Sequence, residues 1–341
     1  MKLLVTGATG FLGSHLLPLL AESNHSLRVL ARGEAPAAAA LGAEVVTAGL
    51  QDRPALRRAL AGVEAVYHLA GQVDFDPADP AALFDLHVQG TRVLLEEAHA
   101  AGVGRVLLAS TSGTIGISKE PRVATEADDY PLTVAARWPY YLSKIFQEKA
   151  ALRVSRDTGL PLVVLNPSLL LGPGDERLGS TSVVWKLLQG RVPAMPGGGL
   201  SFVDVRDAAL AFARALERGR PGERYLLGGH NLSFADLFGR LERLSGAPAP
   251  RLRLPSRLNV AGARLLGRYH AWRGSEPELD APSVEMGEHF FYVDSSKATR
   301  ELGFAPRDPQ ETLFETVRFL EERFGRPGAG SRATSPRPPR P

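Results

Sequence analysis

The sequence predicts an α/β fold, a doubly wound parallel sheet followed by a smaller C-terminal α/β region. Three observations carry this. Residues 1–13, MKLLVTGATGFLG, read as a buried strand, a glycine turn and the start of a helix. Short apolar runs then alternate with helical stretches as far as Ser168. A chain of 341 residues, 44% apolar and 23% charged, can bury a large core and has ordinary globular composition.

The first strand is Leu3-Leu4-Val5, and Gly7, Gly10 and Gly13 follow it before the apolar helix Phe11–Leu20. Glycine is common here (35 residues), so the placement of these three between a strand and a helix is what makes them informative. Gly7 suits a tight turn, Gly10 removes a Cβ where a pyrophosphate would lie, and Gly13 lets helix and strand pack closely. The helix N-terminus adds unpaired N–H groups and a positive dipole end. The second strand, Leu27–Ala31, ends in Arg32-Gly33, with no acid before Glu34. An acid at this place suits a ribose 2′-hydroxyl, whereas a guanidinium suits a 2′-phosphate. The expectation is therefore NADP(H) held in part by Arg32, with NAD(H) as the second choice. A third strand (Glu44–Ala48), a helix (Arg53–Leu60) and a fourth strand (Ala65–Gly71) come next. His68, inside that apolar strand, reads as a satisfied core histidine rather than a catalytic one. A long helix is expected over Asp79–Ala101, then a fifth strand, Val106–Ala109, opening into Ser110-Thr111-Ser112.

Tyr140 and Lys144 stand at i and i+4 in a segment expected to be helical over Tyr140–Ser155, which puts both on one face. A phenol is a poor acid at neutral pH, and a nearby ammonium favours the phenolate and lowers its pKa. Such a pair can exchange a proton with a hydroxyl or carbonyl while hydride moves to or from a nicotinamide. Tyr141 is out of register with Lys144 and is expected to pack. A sixth strand, Leu162–Ser168, ends in Asn166-Pro167-Ser168. Asp207 is expected to cap the helix after Phe202-Val203-Asp204-Val205.

TGATGFLG, the Ser-Thr-Ser at the end of strand five and Tyr140-x-x-x-Lys144 together resemble the extended short-chain dehydrogenase/reductases, the NAD-dependent epimerase/dehydratase superfamily, over about residues 1–323. Val73-Asp74-Phe75 and Asn166-Pro167-Ser168 resemble its branch of dihydroflavonol reductases, 3β-hydroxysteroid dehydrogenases and hopanoid-associated epimerase-like proteins. The resemblance implies a Rossmann core with cofactor contacts from Gly7, Thr9, Gly10, Phe11, Leu12, Gly13, Arg32, Asp52, Leu69, Ala70, Gly71, Tyr140, Lys144, Asn166, Pro167 and Ser168, with Asp52 near the adenine. It implies Tyr140, Lys144 and a hydroxyl as catalytic residues, Thr111 being the better match and Ser112 the second. Where relatives carry Asn, this chain has His87, open between a replacement proton relay and a packing change. The implied organisation is a dinucleotide-binding core with the catalytic helix (1–165), a substrate region with returning core strands (166–324) and a disordered tail (325–341). Homodimerisation through a four-helix bundle is permitted.

The expected activity is NADP(H)-dependent hydride transfer on the ketone of an apolar small molecule, such as a polycyclic or aromatic ketone. The alternative is an NAD-dependent sugar or nucleotide-sugar epimerase or dehydratase, and a non-catalytic dinucleotide sensor stands third. Gly199-Leu200-Ser201 lacks the arginine that nucleotide-sugar relatives place before this strand, and Gly113-Thr114 replaces the Asp-Glu pair of dehydratases. The amphipathic segment Leu258–Leu266 with Tyr269, His270 and Trp272 is expected either to cover the substrate or to pack on its own domain. With no cysteine and dispersed histidines, no metal site is expected. The pI near 9.2 belongs to the tail. Removing its four arginines (Arg326, Arg332, Arg337, Arg340) takes the net charge from +3 to −1, so no nucleic-acid partner is expected. Without a signal peptide or a run near the ~20 apolar residues of a membrane span, the chain reads as cytoplasmic.

Overall fold

The computed structural model describes residues 1–75, 77, 79–272 and 281–326, without the side chains of 271 and 272. The tail expected to be disordered lies outside the described residues beyond Arg326, as does the Trp272 side chain. The main sheet has seven parallel strands: β1 (Lys2–Thr6), β2 (Ser26–Ala31), β3 (Glu44–Thr47), β4 (Ala65–His68), β5 (Arg105–Ala109), β7 (Leu162–Pro167) and β10 (Arg224–Leu227), with β6 (Val123–Ala124), β8 (Leu169–Leu171) and β9 (Gly199–Asp204) lying outside it. Their order is β10-β7-β5-β4-β1-β2-β3. The strand order reverses beside β1, so β1 and β4 flank the crevice where ligands of such sheets bind.

Alternating side chains bury both faces of the sheet. Leu3, Val5, Leu107 and Val163 face one core, and Leu4, Val106, Leu108 and Val164 the other. The first core is closed by α1 (Phe11–Glu22) and α9 (Val205–Arg218), through Leu16, Leu20 and Phe212. The second is closed by α3 (Arg53–Leu60), α5 (Gly90–Ala100) and α7 (Pro139–Thr158), through Leu56, Leu94 and Ala151. Two short helices, α2 (Pro36–Ala40) and α4 (Pro80–Phe84), connect on this level, and α6 (Leu132–Ala135) precedes α7.

A second sheet, β11-β9-β12-β6 with β8 on β9, stands over the C-terminal ends of the main strands; β11 is His230–Ser233 and β12 is Phe290–Val293. Around it lie α8 (Ser182–Leu188), α10 (Phe234–Ser245), α11 (Ser256–Trp272), α12 (Ala281–Gly287), α13 (Ser296–Leu302) and α14 (Pro309–Phe324). Its core joins Phe202, Phe238 and Leu313.

Three local expectations change. The long helix is α4, a π turn over Asp85–Gln89, and then α5. Asp204, not Asp207, caps α9, accepting from Arg206 N at 2.9 Å, because the helix begins at Val205. Asp207 lies in the first turn and accepts from the Arg307 guanidinium instead. The fourth strand stops at His68. Leu69 N then donates to Thr6 O and Ala70 N to Thr6 Oγ1, so Leu69-Ala70-Gly71 leaves the sheet along β1.

Candidate active site

The glycine turn is a cradle that side chains would fill. Gly7 has φ of +74°, and a Cβ there would lie 2.6 Å from the Leu69–Ala70 peptide. A Cβ on Gly13 would lie 2.3 Å from Gly7 O, so α1 starts against the turn itself. A Cβ on Gly10 would meet only Gly7 O, at 3.2 Å, leaving the space in front of the helix open. Gly10 is the N-cap of α1 and offers no side-chain acceptor, so the first N–H groups of the helix face outward without one. Thr9 is exposed in the turn, while Phe11 and Leu12 open the helix. Arg32 is exposed just beyond β2, whose Leu30 is in register with Thr6. These residues fit a dinucleotide pyrophosphate and its adenosine ribose. Asp52, expected near the adenine, caps α3, its carboxylate accepting from Ala55 N at 3.0 Å.

The reactive groups gather where β5 and α7 meet. Tyr140 is buried, and it lines the cavity together with Thr111, whose side chain lies near enough to act on the phenol. Burial pushes the phenol up to about 12, and the Thr111 contact pulls the other way. Lys144 is also buried; burial lowers it to about 8, against the pull of Glu148. Its Nζ donates to Ala109 O at 2.8 Å and to Gln147 Oε1. The expected lowering of Tyr140 by Lys144 is not what the structure shows: burial raises the phenol, and the Thr111 side chain is what pulls it down. Both candidate hydroxyls, Thr111 and the buried Ser112, lie on the cavity wall with Tyr140, and it is the Thr111 side chain that acts on the phenol.

Under these groups runs a buried polar chain. Gln147 Nε2 donates to Thr91 Oγ1 (2.7 Å), which meets His68 Nε2 (2.8 Å); His68 Nδ1 meets Thr6 Oγ1 (2.8 Å). His68 is thus a satisfied core histidine, held near 3 by burial and by Lys144. His87 is fixed as well. Its Nε2 accepts from Gln72 N at 3.1 Å, so Nδ1 carries the proton and donates to Ser143 Oγ at 2.8 Å. With both nitrogens engaged, His87 ties the strand-four exit to the catalytic helix, and burial holds it near 2.

Sequence reasoning missed Glu148. Fully buried, its Oε1 accepts from Ser110 Oγ, Thr114 Oγ1 (2.7 Å) and Asn166 Nδ2 (2.6 Å), and its Oε2 from Tyr130 OH (3.1 Å). Its spacing of i+4 from Lys144 and i+8 from Tyr140 was the available signal. Asn166, expected to contact the cofactor, turns its amide inward to Glu148, Thr114 Oγ1 and Thr111 O. Pro167 and Ser168 do face the open side.

That open side is a cavity of about 320 Å³ bounded by Tyr140, Thr111 and Ser112. Its walls are mostly apolar, including Phe75, Tyr141, Leu169, Phe238, Met286 and Phe291. Among the described residues Lys186 is the one charged side chain on the wall. Tyr141 packs against Trp138 and Phe291, as its register implied, and its ring occupies the space a Gly113 side chain would need. Of the segment expected to cover the substrate or pack on its own domain, Asn259 is the one described residue on the cavity wall; Leu258, Leu265 and Leu266 point outward, because the inner face of α11 carries smaller or polar residues. Among the described residues no cluster of His, Asp or Glu could hold a metal, and no helix is long and apolar enough to cross a membrane.

A glycine cradle at the switch point and a Tyr-x-x-x-Lys helix beside an apolar cavity define a dinucleotide-dependent enzyme of the extended short-chain dehydrogenase/reductase type. The family comparison agrees: residues 3–228 match the NAD dependent epimerase/dehydratase family, and the chain belongs to it. Among curated proteins it is 34% identical to sterol demethylase protein B of Methylococcus capsulatus, over 95% of this chain and 99% of that one. It is 30% identical to a putative dihydroflavonol 4-reductase of Synechocystis, over 93% and 94%. The solved structure of gox2253 superposes with a TM-score of 0.82 at 31% identity, over 95% and 99%. DesIV, a dTDP-glucose 4,6-dehydratase from Streptomyces venezuelae solved with NAD bound, gives 0.73 at 27%, over 95% and 98%. The chain is an NAD(P)-dependent oxidoreductase of that superfamily.

Proposed function

We propose that the protein reduces the ketone of an apolar small molecule, or oxidises the corresponding alcohol, with NADP(H). The observation that carries this reading is the cavity: predominantly apolar, with Lys186 the one charged residue among its described wall residues, and bounded by Tyr140 and Thr111. A sugar diphosphate would call for several cationic partners there, and among the described wall residues Lys186 is the one cation. The reductase name of the Synechocystis relative points the same way.

The nicotinamide, when bound, supplies or accepts the hydride. Thr111 holds the carbonyl oxygen, and Tyr140 donates its phenolic proton to that oxygen as negative charge develops. The Lys144 ammonium, kept beside the site by Ala109 O and Gln147, stabilises the tyrosinate that remains. The apolar wall excludes water from the reacting oxygen. The cradle of Gly7, Gly10 and Gly13 would hold the pyrophosphate, and Arg32 would hold the 2′-phosphate.

The experiment is a titration of purified protein with NADPH and NADH, followed by nicotinamide fluorescence, for wild type and Arg32→Ala. It is followed by turnover of polycyclic and aromatic ketones, with Tyr140→Phe as control. NADPH preference lost in Arg32→Ala, and ketone reduction lost in Tyr140→Phe, are the expected results. Protein that arrives already loaded with NAD would replace this reading with the epimerase or dehydratase one, which the likeness to DesIV favours.

A further inference from the structure

Exposed apolar residues are unevenly spread over this molecule. Among the described residues fourteen large hydrophobic side chains are exposed, and six of them fall between Leu252 and Tyr269. Most of that stretch is α11. The helix turns Asn259, Val260, Ala263 and Gly267 toward the protein, where they are half-buried. Leu258, Gly262 and Leu265, at i, i+4 and i+7, form an outward stripe widened by Leu266, and the three leucines are 61%, 66% and 49% exposed.

Charge on the same stretch is one-sided. Residues 251–272 hold Arg251, Arg253, Arg257, Arg264 and Arg268 and no Asp or Glu. Arg251 pairs with Glu242 and Arg264 with Glu285, while Arg253, Arg257 and Arg268 have no ion-pair partner among the described residues. An ordinary solvated helix face is polar and mixes both signs. A seam between two copies of α11 would bring together two sets of three arginines, Arg257, Arg264 and Arg268, of which only Arg264 has a carboxylate partner among the described residues. Leucines flanked by arginines match an interfacial helix on an anionic lipid surface, where the arginine stems lie along the apolar layer and the guanidinium groups reach phosphates.

We propose that α11 docks this protein on an anionic bilayer, with Leu258, Leu265 and Leu266 in the acyl boundary. The inference rests on α11 and not on the reaction proposed above. Asn259, on the inner face of the same helix, lines the cavity. Docking therefore sets the bilayer about one helix diameter, ~10 Å, from the substrate site.

The test is flotation of the full chain with vesicles of phosphatidylglycerol and phosphatidylcholine, against phosphatidylcholine alone. Binding is expected to the anionic vesicles only and to weaken with salt. Leu258→Ser/Leu265→Ser/Leu266→Ser is expected to lower it at least about ten-fold, and Arg257→Gln/Arg264→Gln/Arg268→Gln similarly. Unchanged melting temperature and NADPH binding establish that both variants fold. Undiminished flotation of the leucine variant would assign the binding to the arginines of the tail and overturn the proposal. So would absence of flotation by the wild type. A wild-type dimer that the leucine variant dissociates, seen by sedimentation, would give the face to a second copy and also overturn it.

Discussion

Asn166 Nδ2 donates to Glu148 Oε1 at 2.6 Å, and the same amide nitrogen reaches Thr111 O at 3.2 Å. The carboxylate on the catalytic helix is thereby coupled, through one side chain of β7, to the backbone that carries the hydroxyl facing Tyr140. Glu148→Gln presents an amide in place of a carboxylate that accepts four donors. Leaving one buried donor mismatched should cost about 1–3 kcal/mol of stability. Because Glu148 holds the Lys144 proton on, its loss moves the alkaline fall of activity to lower pH. Melting curves and a pH–rate profile measure both; an unmoved alkaline limb would separate Glu148 from Lys144.

The two hydroxyls of the β5 end should be unequal. Thr111→Val removes the hydroxyl beside the Tyr140 phenol and is expected to cut kcat by roughly 10²–10⁴-fold, as is Tyr140→Phe. Ser112→Ala is expected to change it little. Steady-state kinetics with NADPH in excess decide it, and the reverse ranking would exchange the two roles.

His68 and His87 predict an acid-sensitive fold. Both are held neutral in the native state, near 3 and near 2, while the unfolded chain protonates them near 6.5. Below about pH 6.5 the unfolded state binds more protons, so stability falls as pH falls. The slope is about 1.4 kcal/mol per pH unit for each histidine until the folded values are reached. His68→Asn/His87→Asn should lower stability at pH 7 and flatten this slope, as read from denaturant titrations at pH 7, 6 and 5.

Gly13→Ala should be far more damaging than its single methyl suggests. The added carbon would sit 2.3 Å from Gly7 O, and both partners are backbone. Loss of NADPH binding, with a large fall in melting temperature, is expected. At Gly49, where an added Cβ meets nothing within 4 Å, alanine serves as the control and should be neutral.

Much of this architecture was legible in the sequence because its signals are local. The glycine turn, the buried strands and the Tyr140–Lys144 spacing each depend on residues within about a dozen positions of one another. The His68 reading also followed locally, from a histidine inside an apolar strand. What was not legible depends on distant partners. Asn166 sits where a cofactor contact was expected, yet Glu148, 18 residues away, claims its amide. Asp207 is a good cap by type, but the helix began three residues earlier, and Arg307 from the far end of the chain took its carboxylate. The leucines of α11 read as amphipathic in either orientation, and only the packing of the small inner face shows which side faces out.

The π turn at Asp85–Gln89 lies between α4 and α5. It lets His87 address Gln72 and Ser143 while Thr91, four positions on, addresses His68 and Gln147. Five residues in such a turn sweep about the angle that four sweep in an α-helix, so the turn holds one residue more than a regular helix would, with Leu83 and Thr91 still in phase. Deleting His87 itself would leave a regular helix and keep Thr91 between His68 and Gln147, yet remove the link from Gln72 to Ser143. The turn is thus an insertion that adds one histidine to a seam without displacing the residues that follow.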